Sequence, residues 1–313
     1  MTTQQRLLVP VDGSDSSNRA IDFAVALAKA KGGAEIIFCY SIDLTPALSS
    51  SSGPYGAVDD IAPILAALES ESHSFLSAAV ARADGSGVSV TTRELAGPPV
   101  AAILDALEDH SFGAVVMGTH GRRGASRFFL GSTADGVLRR SLVPVFVLSE
   151  SAATASAAGD ALARIAVALD DSDPADAAFD YALELAQPGA TRLILAHAVD
   201  VRKIYGLAAS QRYPLPAALA EAREAAAALM ARAAARAKER GVEVEAVVLE
   251  GEPRESLLDL VRTHGIGLIA IGTHGRRGLQ RLLLGSVAEG VVRDAPVPVV
   301  VVRAHAAGEA AGT

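Results

Sequence analysis

Tryptophan is absent from this chain of 313 residues, and aromatic side chains make up only 4% of it, as 5 Tyr and 8 Phe. So little stacking surface argues against a protein that grips unpaired nucleic-acid bases. Positive charge is short as well: 28 Lys and Arg stand against 36 Asp and Glu, a formal net charge of -8. Neither nucleic acid nor an anionic lipid surface is expected as the main partner of such a chain. The single cysteine, Cys39, rules out an internal disulfide. It lies in the apolar run Ile36-Ile37-Phe38-Cys39-Tyr40 and is expected to be a buried, reduced thiol. Long apolar runs are missing too. The longest, such as 297–302, have the length of strands and cannot span a bilayer. The opening Met1-Thr2-Thr3-Gln4-Gln5-Arg6 lacks the basic-then-apolar layout of a signal peptide, so the expected compartment is the cytoplasm.

What the sequence does have is repetition. Gly-Thr-His-Gly-Arg-Arg-Gly occurs at 118–124 and again at 272–278, and Gly-Ser follows each copy at the same interval, as Gly131-Ser132 and Gly285-Ser286. Residues 87–149 align with 241–303 without a gap, pairing Gly97 with Gly251, Pro99 with Pro253 and His110 with His264. Further upstream, Val11-Asp12 pairs with Leu169-Asp170. A period this long marks two domains and not a solenoid, and domains of about 150 residues can each bury a core. The expected organisation is a first domain at 1–149, an Ala/Ser-rich linker at 150–160, a second domain at 161–303 and a flexible tail at 304–313.

Within each half, short β-branched runs alternate with Ala-rich stretches of helical character. Several runs are apolar with little alternation, as strands covered on both faces are. Helix ends are marked: Pro98-Pro99, Pro216 and Pro253 open helices, and Gly241 closes one. The polar segment 43–60, with four serines, Gly53 and Pro54 at its centre, reads as a surface loop or a flap. Strand–helix alternation with right-handed crossovers predicts an α/β fold: two tandem domains, each an open five-stranded parallel sheet with helices on both faces. Ligands of such sheets bind at the carboxyl ends of the strands, where the strand order reverses. Asp12 and Asp170 close strand one, and the glycine loops leave strand four, so both features fall on one rim of each half.

Each half therefore carries the pattern G-x-x-G-x9-G-S after an apolar run ending in Met117 or Ile271. Closely spaced glycines let backbone amides approach a ligand, and a following helix start aims further N–H donors and its positive dipole end at the same point. That construction suits phosphate. The alternative is a pair of tight turns using Gly only for its backbone freedom. Arg122, Arg123 and Arg127, with Arg276, Arg277 and Arg281, fall inside the spacer and either clamp phosphate oxygens or stand solvated. His120 and His274 stand alone without metal-ligand neighbours and read as turn residues with local bonds. Ser132 and Ser286 read as helix starts that donate to phosphate, not as nucleophiles. No P-loop lysine motif is present and no catalytic residue is assigned, so hydrolysis has no visible machinery.

These motifs resemble the universal stress protein family, in its tandem, ATP-binding form, over nearly the whole chain. The resemblance implies an ATP ligand, with Mg²⁺ arriving on the phosphates and no metal site made by protein alone. It implies contacts to ribose and phosphates from Gly118, Gly121, Arg122, Gly131, Ser132 and Thr133, and from Gly272, Gly275, Arg276, Gly285, Ser286 and Val287. Pro10-Val11-Asp12 and Ala168-Leu169-Asp170 are then the strand-one contacts to ribose and adenine, and Ser41 and Ala198 the main-chain contacts to adenine. Met117 and Ile271 precede the loops. Two departures fall in the second half: Ala168 replaces the proline, and Asp171 replaces Gly13. A second carboxylate near a triphosphate repels it by at most a few kcal/mol at ~4 Å with an effective dielectric of about 20. The implied role is a regulator whose ATP occupancy acts as a sensor or switch in stress or growth arrest; a slow Mg-dependent ATP hydrolase or phosphotransferase is the alternative. The apolar fifth runs, 143–148 and 297–302, are expected to join the halves as an internal pseudo-dimer, with a homodimer of chains left open. No residue names a downstream protein partner.

Overall fold

Strand one of each half is short and buried on both faces because it will lie in the middle of a sheet. The computed structural model describes residues 6–50, 61–108, 111–121, 130–152, 158–273 and 284–304. The chain divides into two units, Met1–Glu150 and Ser151–Thr313.

The first unit runs β1 (Arg6–Pro10), α1 (Asp15–Ala30), β2 (Glu35–Ile42), α2 (Thr45–Ser50), α3 (Ala62–Ala83), β3 (Val90–Ala96), α4 (Pro99–Ala106), β4 (Phe112–Gly118), α5 (Ser132–Arg140) and β5 (Val145–Leu148). The second runs α6 (Ala158–Ala163), β6 (Arg164–Ala168), α7 (Asp173–Leu185), β7 (Arg192–Val199), α8 (Val201–Gln211), α9 (Leu215–Glu239), β8 (Glu243–Glu250), α10 (Pro253–His264), β9 (Leu268–Gly272), α11 (Ser286–Asp294) and β10 (Val299–Val302). Within the first unit the strand order is β3-β2-β1-β4-β5, and within the second it is β8-β7-β6-β9-β10. All pairings within each unit are parallel. The order reverses between β1 and β4, and between β6 and β9, so the carboxyl ends of those strands open the crevice of each sheet.

Burial differs from strand to strand. Every residue of β5, β9 and β10 is buried, whereas β8, the last strand of its sheet, alternates between half-buried and exposed positions. Helices close both faces. The Phe23 and Phe146 rings meet at 5.4 Å in the first core, and Phe179 is buried in the second. Both units clamp the helix after strand one to the long helix before strand three with an arginine. Arg82 reaches both carboxylate oxygens of Asp22 at 2.6 Å, and Arg236 bonds Asp180 while stacking 4.9 Å above the Phe179 ring. Ser14 and Ser172 cap α1 and α7 by accepting from Ser17 N and Ala175 N.

Three elements were not foreseen. α8 has one buried residue, Ala208, and carries exposed Tyr205 and Leu207, so it shows no apolar stripe to read. α6 begins inside the stretch expected as linker, and α2 occupies the start of the segment 43–60 expected as loop. β5 and β10 begin after Pro144 and Pro298, which lack an amide; their carbonyls still accept from Val115 N and Ile269 N.

Candidate functional site

The rim of the second unit holds a cavity of about 930 Å³. Its floor comes from the ends of β6 and β9: Ala168, Leu169 and Asp170 on one side, Ile271, Gly272 and Thr273 on the other. Gly285, Ser286 and Val287 at the start of α11 close one end, and Ala198 lies on the neighbouring strand β7. The structure thus brings together every expected second-half residue that it describes. Gly275 and Arg276 lie outside the described residues, as do His274, Arg277 and Arg281.

The backbone explains the gathering. Gly285 N donates to Thr273 O at 2.8 Å, which draws the start of α11 back to the end of β9. Gly285 is the N-cap of α11 and has no side chain to satisfy the first-turn amides, which stay available to an anion. Gly272 must be glycine: a Cβ there would sit 2.5 Å from the Pro174 carbonyl carbon at the start of α7. Leu169 N donates to Ala196 O at 2.8 Å, carrying the strand-one turn over the sheet edge and leaving Asp170 facing the cavity. Ser172 Oγ donates to Asp170 Oδ1 at 2.5 Å, fixing that carboxylate.

The rest of the cavity wall comes from residues the sequence reading missed. α8 and α9 contribute an apolar side: Ile204, Leu207, Ala222, Ala225, Ala226 and Leu229. His197 lines the wall from β7, its Nδ1 2.7 Å from the Leu169 carbonyl, so Nδ1 carries the proton and donates. Lys203 and Arg232 bring cationic groups to the same cavity. Burial opposes the charge on Asp200, but the Lys203 amide and ammonium outweigh it and hold that carboxyl below its ordinary value. A lone His in an apolar strand was a visible signal. Arg232 gave none, because it is one of several charged residues spread among alanines on the exposed side of a long helix.

Asp171, the additional carboxylate of the second half, lines the cavity and has a cation beside it. It adopts φ +62°, the same left-handed backbone that Gly13 takes at φ +76° in the first unit, so Asp fills a glycine position. Its carboxylate pairs with Arg232 at 2.7 Å, and the charge feared at the site is already countered.

The first unit builds the same backbone. Gly131 N donates to Thr119 O at 2.8 Å, Gly131 is the uncapped start of α5, and Ser132 and Thr133 form its first turn. Pro10 ends β1, Val11 N donates to Cys39 O, and Met117 and Gly118 end β4. Asp12 Oδ1 accepts from Ser14 N, and the backbone at Gly121 runs so close to Asp12 that a Cβ there would lie 2.6 Å from Oδ2. Ser14 and Ser16 hydroxyls both donate to His120 O, and His120 Nδ1 is bonded locally to Thr119 Oγ1 at 2.8 Å. Ser41 lies near the end of β2, its hydroxyl donating to Gly97 O at 2.5 Å. Arg122, Arg123 and Arg127 lie outside the described residues.

Among the described residues there is no group of three or more His, Cys, Asp or Glu able to hold a metal ion, and no helix is long and apolar enough to cross a membrane. The family model of universal stress proteins matches the chain twice, at residues 4–149 and 162–303. The chain belongs to the universal stress protein family. A universal stress protein of Mycolicibacterium smegmatis is 29% identical over 309 residues, covering 96% of this chain and 98% of its own length. One from Methanocaldococcus jannaschii is 33% identical over 142 residues, covering 45% of this chain and 81% of its own. Among solved structures, a universal stress protein from Archaeoglobus fulgidus superposes with a TM-score of 0.70 at 23% identity, covering 97% of this chain and 100% of the other. That last likeness speaks for the tandem α/β fold alone.

Proposed function

We propose that this universal stress protein is an ATP-binding regulator, with nucleotide occupancy acting as the switch in stress or growth arrest. The observation that supports it is the 930 Å³ cavity that collects Asp170, Gly272 and the uncapped start of α11 in the second unit. Its volume lies at the upper end of small-molecule sites, which run to about 1,000 Å³. Its walls are divided as a nucleotide requires. The apolar side from α8 and α9 suits an adenine ring, Asp170 suits ribose hydroxyls, and the α11 amides suit phosphates. Arg232 and Lys203 neutralise Asp171 and Asp200 at the cavity, so the phosphates would be met by the α11 amides and by Mg²⁺ arriving with the nucleotide and keeping most of its waters.

The test is mass spectrometry of nucleotide released from freshly purified protein, followed by titration of stripped protein with Mg-ATP. Intact bound ATP and measurable heat support the regulator. Steady ADP release above that of a Gly285→Asp variant would move the reading to a slow hydrolase. No bound nucleotide and no heat would sink it.

A further inference from the structure

The two halves carry the same loop motif but do not offer the same space. The long helices α3 and α9 correspond position by position. α3 buries Ser72, Leu76, Ala79 and Ala83, and α9 buries Ala226, Met230, Ala233 and Ala237 at the same spacing. Phe75 therefore stands where the second unit has Leu229, and Glu71 where it has Ala225. Strand registers pair Pro10 with Cys39 and Ala168 with Ala196, so Tyr40 stands where the second unit has His197. In the second unit Leu229, Ala225 and His197 are cavity wall.

Their first-half counterparts are all larger, and they meet one another. Tyr40 Oη donates to Glu71 Oε2 at 2.9 Å, and the Tyr40 and Phe75 rings pack with centroids 5.7 Å apart. Phe75 also packs against the strand-one turn: a Cβ built on Gly13 would fall 2.3 Å from Phe75 Cε1. Asp171, in the Gly13 position, instead reaches out to Arg232. Two rings and a carboxylate thus occupy the space that, one domain later, is open, and the carboxylate would oppose a triphosphate.

We propose that the first half is a self-plugged copy of the site, closed by Tyr40, Glu71 and Phe75, and that each chain takes one adenine nucleotide, in its second half. This rests on the ATP reading above. Titration of stripped, full-length protein with Mg-ATP decides it. The expected stoichiometry is one per chain, and Gly285→Asp reduces it to none. Importing the second-half residues, as Tyr40→His with Phe75→Leu, should raise it to two. Phe75→Leu alone, which deletes part of one ring and keeps an apolar side chain, guards against a double variant that does not fold; it should show a second, weaker binding event. A wild-type stoichiometry of two, or one site surviving in Gly285→Asp, overturns the proposal. So does a folded double variant that still binds one. No binding in any of these proteins would overturn the ATP reading itself, and the inference with it.

Discussion

The two halves of this chain have nearly the same strand-four loop, the same uncapped helix start and the same aspartate after strand one. Yet only the second frames those features with small and aliphatic side chains from the helices above. In the first, Tyr40, Phe75 and Glu71 fill the corresponding place. A glycine motif determines where backbone amides point. Whether a ligand fits beneath them depends on residues far from it in sequence, on the helix before strand three. Of the two departures in the second half, Asp171 takes the left-handed backbone of a glycine and pairs with Arg232.

The sharpest way to break this comparison is at the glycines that end strand four. A Cβ at Gly272 would lie 2.5 Å from the Pro174 carbonyl carbon, whereas at Gly118 the nearest main-chain atom, the Ser16 carbonyl carbon, is 2.8 Å away, with the Ser16 Cβ at 2.7 Å and its rotatable hydroxyl at 2.4 Å. Gly272→Ala is expected to cost about 3 kcal/mol, at the upper end of overpacking penalties, and Gly118→Ala less. Urea unfolding of the two variants checks the order, and equal losses would show that the two strand ends are packed alike.

Alkaline titration separates the halves by their buried acids. Burial pushes the Cys39 thiol in the first half from an ordinary 9.0 up to about 12, and raises the Tyr181 phenol in the second above its ordinary 10.0. Both folded values lie above the unfolded ones, so the stability each contributes is complete below its unfolded pKa and declines as pH rises towards its folded value. The first half should weaken first, from about pH 9, losing roughly 2–3 kcal/mol by about pH 11 at ~1.4 kcal/mol per unit. The measurement is the rate at which Cys39 becomes alkylated against pH, alongside near-ultraviolet detection of tyrosinate. Ready alkylation of native protein near pH 8 would contradict the burial.

The Asp171–Arg232 pair tests whether the second half depends on charge balance. Both side chains are more than half exposed, 55% and 60%, so the pair itself contributes little to stability. Arg232→Ala should still weaken Mg-ATP binding about threefold to tenfold by uncovering a carboxylate at the cavity, and Asp171→Gly added to it should recover most of that loss. Additive losses in the double variant would mean that Arg232 acts on the nucleotide alone. The smallest effect is expected at Ser72, which is buried in α3 with no partner for its hydroxyl among the described residues, where the second half has Ala226. Ser72→Ala should stabilise the first half by about 0.5–1 kcal/mol in urea unfolding, since it removes an unmet polar group.

The sequence by itself determined the fold class, the duplication and the rim on which the candidate residues meet. Those features are local or periodic: apolar runs buried on both faces, prolines and glycines at helix ends, and a loop motif repeated at a constant interval. It left α8 unread, because a helix that buries only Ala208 has no stripe to reveal it. It also left out the cavity wall. His197, Leu229 and Arg232 reach Asp170 and Gly272 only because β7 pairs with β6 and α9 folds back over β7 and β8. Tertiary structure alone decided which copy is open, since the space above a sheet edge is the sum of side chains brought there from separate helices. Phe75 against Gly13, and Leu229 near Asp171, differ little as single residues and decide the matter only once α3 and α9 are packed.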